Sequence, residues 1–163
     1  EFVDSKFDTE LMLVTGPLTV ISLQMVASFL TRKIPAFRAV ILGTLISGLA
    51  WLILAVHPTP ALVIVTLFAI SLGEITQAPR YYEYISHLAP SGQQGTYMGF
   101  AFLPIGIGSL IGGWFGGVLF HQFGEVLHRP GRIWIALAAV GALTAALLWI
   151  YDRVVRASQA QPT

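Results

Sequence analysis

The chain has 163 residues, 55% of them hydrophobic and only 10% charged, with a net charge of +1 and a mean hydropathy of +0.74. So few charges cannot coat a water-soluble globule of this size, and a balance so close to neutral leaves no electrostatic footprint for a nucleic acid. The absence of cysteine removes disulfides, thiolate metal sites and cysteine nucleophiles together.

The composition therefore predicts an all-α membrane protein. The sequence starts at Glu1, and its first apolar segment follows Asp4, Asp8 and Glu10 instead of a basic leader, which argues against a secretory signal. The expectation is a set of last helices from a larger transporter whose N-terminal half is missing. A membrane-crossing helix needs about 20 mostly apolar residues. Five stretches qualify, at 11–30, 39–56, 61–78, 96–120 and 133–151, followed by a tail at 157–163 that reads as disordered.

An odd number of spans puts the two termini on opposite sides of the bilayer. Short cytoplasmic loops collect Lys and Arg. A cytoplasmic C-terminus places Arg32, Lys33, Arg38, Arg80, Arg153 and Arg156 inside and leaves Lys6, Arg129 and Arg132 outside. That bias predicts an N-terminus outside and a C-terminus inside, in a plasma (inner) membrane.

In chain order, the first span carries Gly16-Pro17, a kink, and Gln24, a mid-helix amide that lipid cannot satisfy. Gln24 reads equally as an interhelical hydrogen bond or as a cavity-lining group. The basic turn at 31–38 is a topology anchor. The second span has Gly43 and Gly48 as close-packing positions and Trp51 near the far interface. It stops at His57-Pro58-Thr59-Pro60, where the prolines end one helix and open the next.

The third span holds Glu74, the only formally charged side chain between Arg38 and Arg80. A carboxylate at the centre of a membrane helix costs about 2.5 to 3.5 kcal/mol on insertion scales, so it is kept for a partner or a pathway. Ser71, Glu74 and Gln77 recur every three residues and read as one polar stripe. Beyond Pro79, Tyr81, Tyr82 and Tyr84 suit a short interfacial helix at the headgroups. Arg80 and Glu83 read as a surface pair of little weight.

The fourth span is the richest in glycine. Gly108, Gly112 and Gly116 recur every four residues, a pattern that lets a second helix approach closely, and Pro104 supplies a kink. Three residues separate Gly108 from Gly112 and no strand precedes them, so a dinucleotide fingerprint is excluded. His121 and His128 lie seven apart in a glycine- and proline-containing loop, which is no metal-ligand spacing. The last span is rich in Ala and Leu, with Trp134 and Trp149 as belt residues, and reads as peripheral scaffold.

Gly73-Glu74, Pro79, Ala89-Pro90, Gly95 and Met98-Gly99 resemble, in residue type and in spacing, the tenth and eleventh helices of the proton-dependent oligopeptide transporter family within the major facilitator superfamily. The resemblance implies helices eight to twelve of a twelve-helix fold. It also implies that Glu74 sits where a tenth-helix carboxylate contacts the amino terminus of a bound peptide. Ser71, Gln77, Gln24 and Ser109 are the other expected substrate-binding residues, read from their polarity within the spans, and proton-coupled alternating access is the expected mechanism. Where that family often has a tryptophan and later an asparagine, this chain has Ala101 and Ser109, which simplify the pocket.

The expected partners are a peptide or small-molecule substrate, protons, the lipid bilayer and the N-terminal half. No cofactor, metal or enzymatic activity is expected. The rival expectations are a non-transporting structural or interaction protein, and a facilitator of another substrate class.

Overall fold

In the computed structural model, residues 6–56 and 59–159 are described. All the regular structure among them is helical: α1 (Lys6–Thr31), α2 (Ala36–Ala50), the short α3 (Leu52–Val56), α4 (Pro60–Leu88), α5 (Gln94–Leu119) and α6 (Gly131–Gln159). Five stretches are long and apolar enough to cross a membrane, α2 and α3 counting as one. The turn at His57-Pro58 lies outside the described residues, as do residues 160–163 of the expected tail. Residues 157–159 continue α6 as helix.

Two boundaries differ from those read in the sequence. Thr59 caps α4, its hydroxyl accepting from the Leu62 amide at 3.3 Å, and Pro60 takes the first turn, where a missing N–H costs nothing. The helix then passes through Pro79 to Leu88 without stopping, so no separate interfacial helix follows it. Pro79 still withholds the N–H that the Ile75 carbonyl would accept, but packing on both flanks holds the helix together. The first part of the loop expected after the fourth span also proves helical, as a π-helical extension of α5 over Phe120–Val126, while 127–130 form the turn into α6.

The helices form a row, with α1 against α4, α4 against α2, and α2 against α6. α2 is the hub because it brings glycine to both neighbours. A Cβ on Gly43 would stand 2.5 Å from the Gly73 carbonyl oxygen, and one on Gly73 would collide with Ser47 Oγ. On the other flank a Cβ on Gly48 would stand 2.8 Å from Gly141 Cα. In lipid no hydrophobic force pulls helices together, so close backbone approach and short polar contacts do the work. Ser47 Oγ accordingly donates to the Ile70 carbonyl at 3.1 Å across the α2–α4 contact.

At the far end Trp51 stacks on Trp134, centroids 5.5 Å apart and planes within 6°. At the basic end Phe37 packs between Tyr84 and Tyr151 at 5.0 and 5.6 Å. Arg80 also behaves differently from expectation. Its side chain is only 13% exposed, and besides pairing with Glu83 it donates to the Ile34 carbonyl, tying the end of α4 to the turn before α2. Tyr81 and Tyr82 face the bundle as well, Tyr81 donating to the Ala101 carbonyl at 2.9 Å and Tyr82 packing on Phe102.

Gly73→Val forces a branched side chain into the α2–α4 crossing and is expected to cost about 1 to 3 kcal/mol, as overpacking does. Gly108→Ala meets open space and is expected to be neutral or stabilising by up to about 1 kcal/mol. Unfolding of the chain in detergent, followed by circular dichroism, measures both. Equal losses would contradict the asymmetry of the two glycine sets.

Candidate functional site

Glu74 sits at the midpoint of α4, and its side chain is exposed. Its neighbours Gly73 and Ile75 are buried, at the α2 crossing and in the core. Among the described residues no ion pair or side-chain hydrogen bond engages the Glu74 carboxylate. An acid is thus presented in the middle of a helix whose first turns, Pro60 to Ile70, are almost wholly apolar.

The expected stripe does not stay on one face. Ser71 is buried, and a Cβ on Gly16 of α1 would lie 3.5 Å from its hydroxyl. Gln77 turns the other way, to α2, where its Oε1 lies 2.8 Å from Thr44 Oγ1. Thr44 Oγ1 is also 2.9 Å from the Val40 carbonyl. One hydroxyl proton serves only one of these acceptors, and turning the Gln77 amide over converts the other contact into an N–H donation. The reason for the split is angular: at 3.6 residues per turn, positions six apart diverge by about 120°. Ser71 therefore reaches α1 and Gln77 reaches α2, with Glu74 between them.

A cleft of about 560 Å³ opens beside this segment, lined by Val40, Gln77, Tyr81, Tyr82, Pro104 and Thr144 among others. It separates α5 from α2, α4 and α6 and falls within the range of ligand-sized cavities. Of the residues expected to bind substrate or to form a hinge, it brings together Gln77 and Pro104, and it is also lined by Tyr81 and Tyr82, which were expected at the headgroups. Gln24 is half-buried on α1, and Ser109 is exposed, its hydroxyl donating to the Ile105 carbonyl of its own helix at 2.9 Å. Gly108, Gly112 and Gly116 meet nothing within 4 Å of an added Cβ, so no helix among the described residues packs on the α5 stripe.

Thr144 was not anticipated as a wall of the cleft, because α6 reads as featureless scaffold. Its place is signalled by Gly141 one turn earlier, which seats α6 on Gly48. Val40, one turn before Thr44, was equally hidden in an apolar run.

A bundle of five membrane-length helical stretches crossing at glycines, with one acid midway along α4, defines a polytopic integral membrane protein. The Major Facilitator Superfamily model matches residues 2–163, and the chain belongs to that superfamily. It is 25% identical over 150 residues to the multidrug resistance protein MdtH of Edwardsiella ictaluri, covering 91% of this chain and 37% of that protein. To MdtH of Klebsiella pneumoniae it is 35% identical over 78 residues, 48% of this chain and 19% of the relative. To MdtH of Aeromonas salmonicida it is 33% identical over 86 residues, 53% and 21% respectively. The chain thus spans between about a fifth and somewhat over a third of the length of these curated relatives. No solved structure matches it.

The narrower likeness to oligopeptide transporters receives no support from these matches. Gly73, which helped carry it, has a sufficient reason in the α2–α4 crossing, where any side chain would collide. The Thr44–Gln77 contact is expected to contribute about 0.6 kcal/mol, the average for such bonds between membrane helices. A double-mutant cycle of Thr44→Val and Gln77→Leu measures it, and a coupling of zero would show the two side chains to be independent.

Proposed function

We propose that the chain forms part of a secondary active transporter of the inner membrane that moves small amphipathic organic compounds by alternating access. The observation that carries this reading is the Glu74 carboxylate, exposed at the centre of an apolar helix with no partner among the described residues. Such a group in a membrane helix is kept for a partner or a pathway. Membership of the superfamily supports transport, and the name of the relatives, multidrug resistance protein, supports organic compounds of varied structure as the cargo class.

In this reading Glu74 attracts the cationic end of the cargo or carries the proton that drives its movement. Gln24 and Ser109 lie on α1 and α5, whose outer surfaces carry many exposed large apolar side chains, including Ile21, Met25, Leu110 and Trp114. Those surfaces would meet lipid or an opposing helical half, with the binding site near the midplane between halves. The glycine stripe of α5 would then be the surface on which the opposing half seats. The end bearing Arg32, Lys33, Arg38, Arg80 and Arg153 faces the cytoplasm by the distribution of positive charge.

A second reading, proton-coupled uptake of small peptides, rests on the register from Gly73-Glu74 to Met98-Gly99. Vesicles from cells expressing the whole gene product distinguish the two, through efflux of a fluorescent lipophilic cation against uptake of a labelled dipeptide. Glu74→Gln is expected to lower cation transport about ten- to hundredfold, the loss of one hydrogen-bonded charge, and Glu74→Asp to retain part of it. Full transport by Glu74→Gln would remove this carboxylate from the mechanism.

A further inference from the structure

Away from Glu74, a second cavity of about 540 Å³ lies between α2 and α6 at the basic end of the bundle. Its walls are sorted by polarity along the helices. Arg38 and Arg153 stand at the mouth, with Trp149 beside them, and Leu42 and Leu45 continue the groove along α2 into the apolar depth. Both leucines are exposed, at 40% and 36%.

We infer that this groove holds one anionic phospholipid, its phosphate between the guanidiniums of Arg38 and Arg153 and an acyl chain along Leu42 and Leu45. The charge balance favours an anion. Asp152, the one acid in the lining, has its side chain only 11% exposed and is paired with Arg38, whose Nε lies 3.5 Å from Oδ2. Two guanidiniums against one carboxylate leave the mouth net positive. Arg38 spends that one N–H on Asp152 while its side chain remains 56% exposed, so the rest of its fork is available to a phosphate.

Arg153 is held differently. Its guanidinium carbon lies 4.3 Å from the centroid of the Trp149 ring. A cation–π contact holds the guanidinium over the ring without consuming its N–H donors. Trp149 is itself a residue suited to headgroup depth. A basic mouth above an apolar slot between two helices is the arrangement that selects an anionic headgroup carried on a chain. A soluble phosphate would use only the mouth and would leave Leu42 and Leu45 without an occupant.

The test is native mass spectrometry of the full chain, purified in detergent and titrated with phosphatidylglycerol or with phosphatidylcholine of the same acyl chains. Phosphatidylglycerol is expected to be retained preferentially. Arg153→Gln breaks no ion pair among the described residues and is expected to lower its retention about fivefold. The double variant Arg38→Gln/Asp152→Asn removes the Arg38–Asp152 ion pair as a unit and is expected to give a similar loss. Phosphatidylcholine binding is expected to stay unchanged in both. Equal retention of the two lipids by the parent chain would overturn the proposal, and so would unchanged phosphatidylglycerol binding in both variants. Displacement of the lipid by inorganic phosphate at equal concentration would show that the acyl chain contributes nothing, and would overturn it too.

Discussion

The close approach of α2 to its two neighbours is the constraint on which the rest of the structure depends. Gly43 meets Gly73 and Ser47 stands against Ile70 on one side, while Gly48 meets Gly141 on the other. Lipid gives apolar side chains no reason to prefer one another, so the helices are ordered by where backbones can touch. Register follows from these points of contact. The α4 crossing turns Gln77 toward Thr44 and leaves Glu74 outward, and the α6 crossing brings Thr144 to the cleft and Asp152 to Arg38.

The two ends of the row are finished by different chemistry. At one, Trp51 and Trp134 stack and the close of the second span meets the start of α6, a Cβ on Gly131 falling 3.3 Å from the Ala55 carbonyl. At the other, Arg80, Glu83, Arg38 and Asp152 form hydrogen bonds and ion pairs around an aromatic cluster. The Ile34 carbonyl, just ahead of Pro35 in the turn, accepts from Arg80. That bond makes Arg80 a structural tie as well as a carrier of positive charge. The Nε of Arg80 is buried without a hydrogen-bond partner, so the two terminal nitrogens carry its polar contacts.

The spans were legible because twenty apolar residues in a row have few other uses, and Gly43 and Gly48 were legible because a glycine inside such a helix needs a reason. Their partners were not, since close packing is a property of two surfaces and a sequence displays one at a time. The same limit explains α5. A four-residue glycine repeat states that a helix can be approached, and here Gly108, Gly112 and Gly116 remain open. Pro79 misled because proline usually closes a helix, whereas here flanking helices keep α4 continuous to Leu88. The α4 stripe failed by accumulation: a three-residue step is a small rotation, and two such steps carry Ser71 and Gln77 to different neighbours.

α5 is held near one tip by the Tyr81 hydroxyl on Ala101 and, past its π-helical end, by the short link into α6, with its glycine-bearing middle unsupported. A rod pinned at both tips bows most easily between them. Pro104 interrupts the backbone ladder a few residues inside the first pin, where the rod is weakest against flexure. Bowing there would widen or narrow the 560 Å³ cleft while the α4–α2–α6 wall stays still. The compliance of one proline-marked strut, rather than any rearrangement of the glycine crossings, would set the size of the opening.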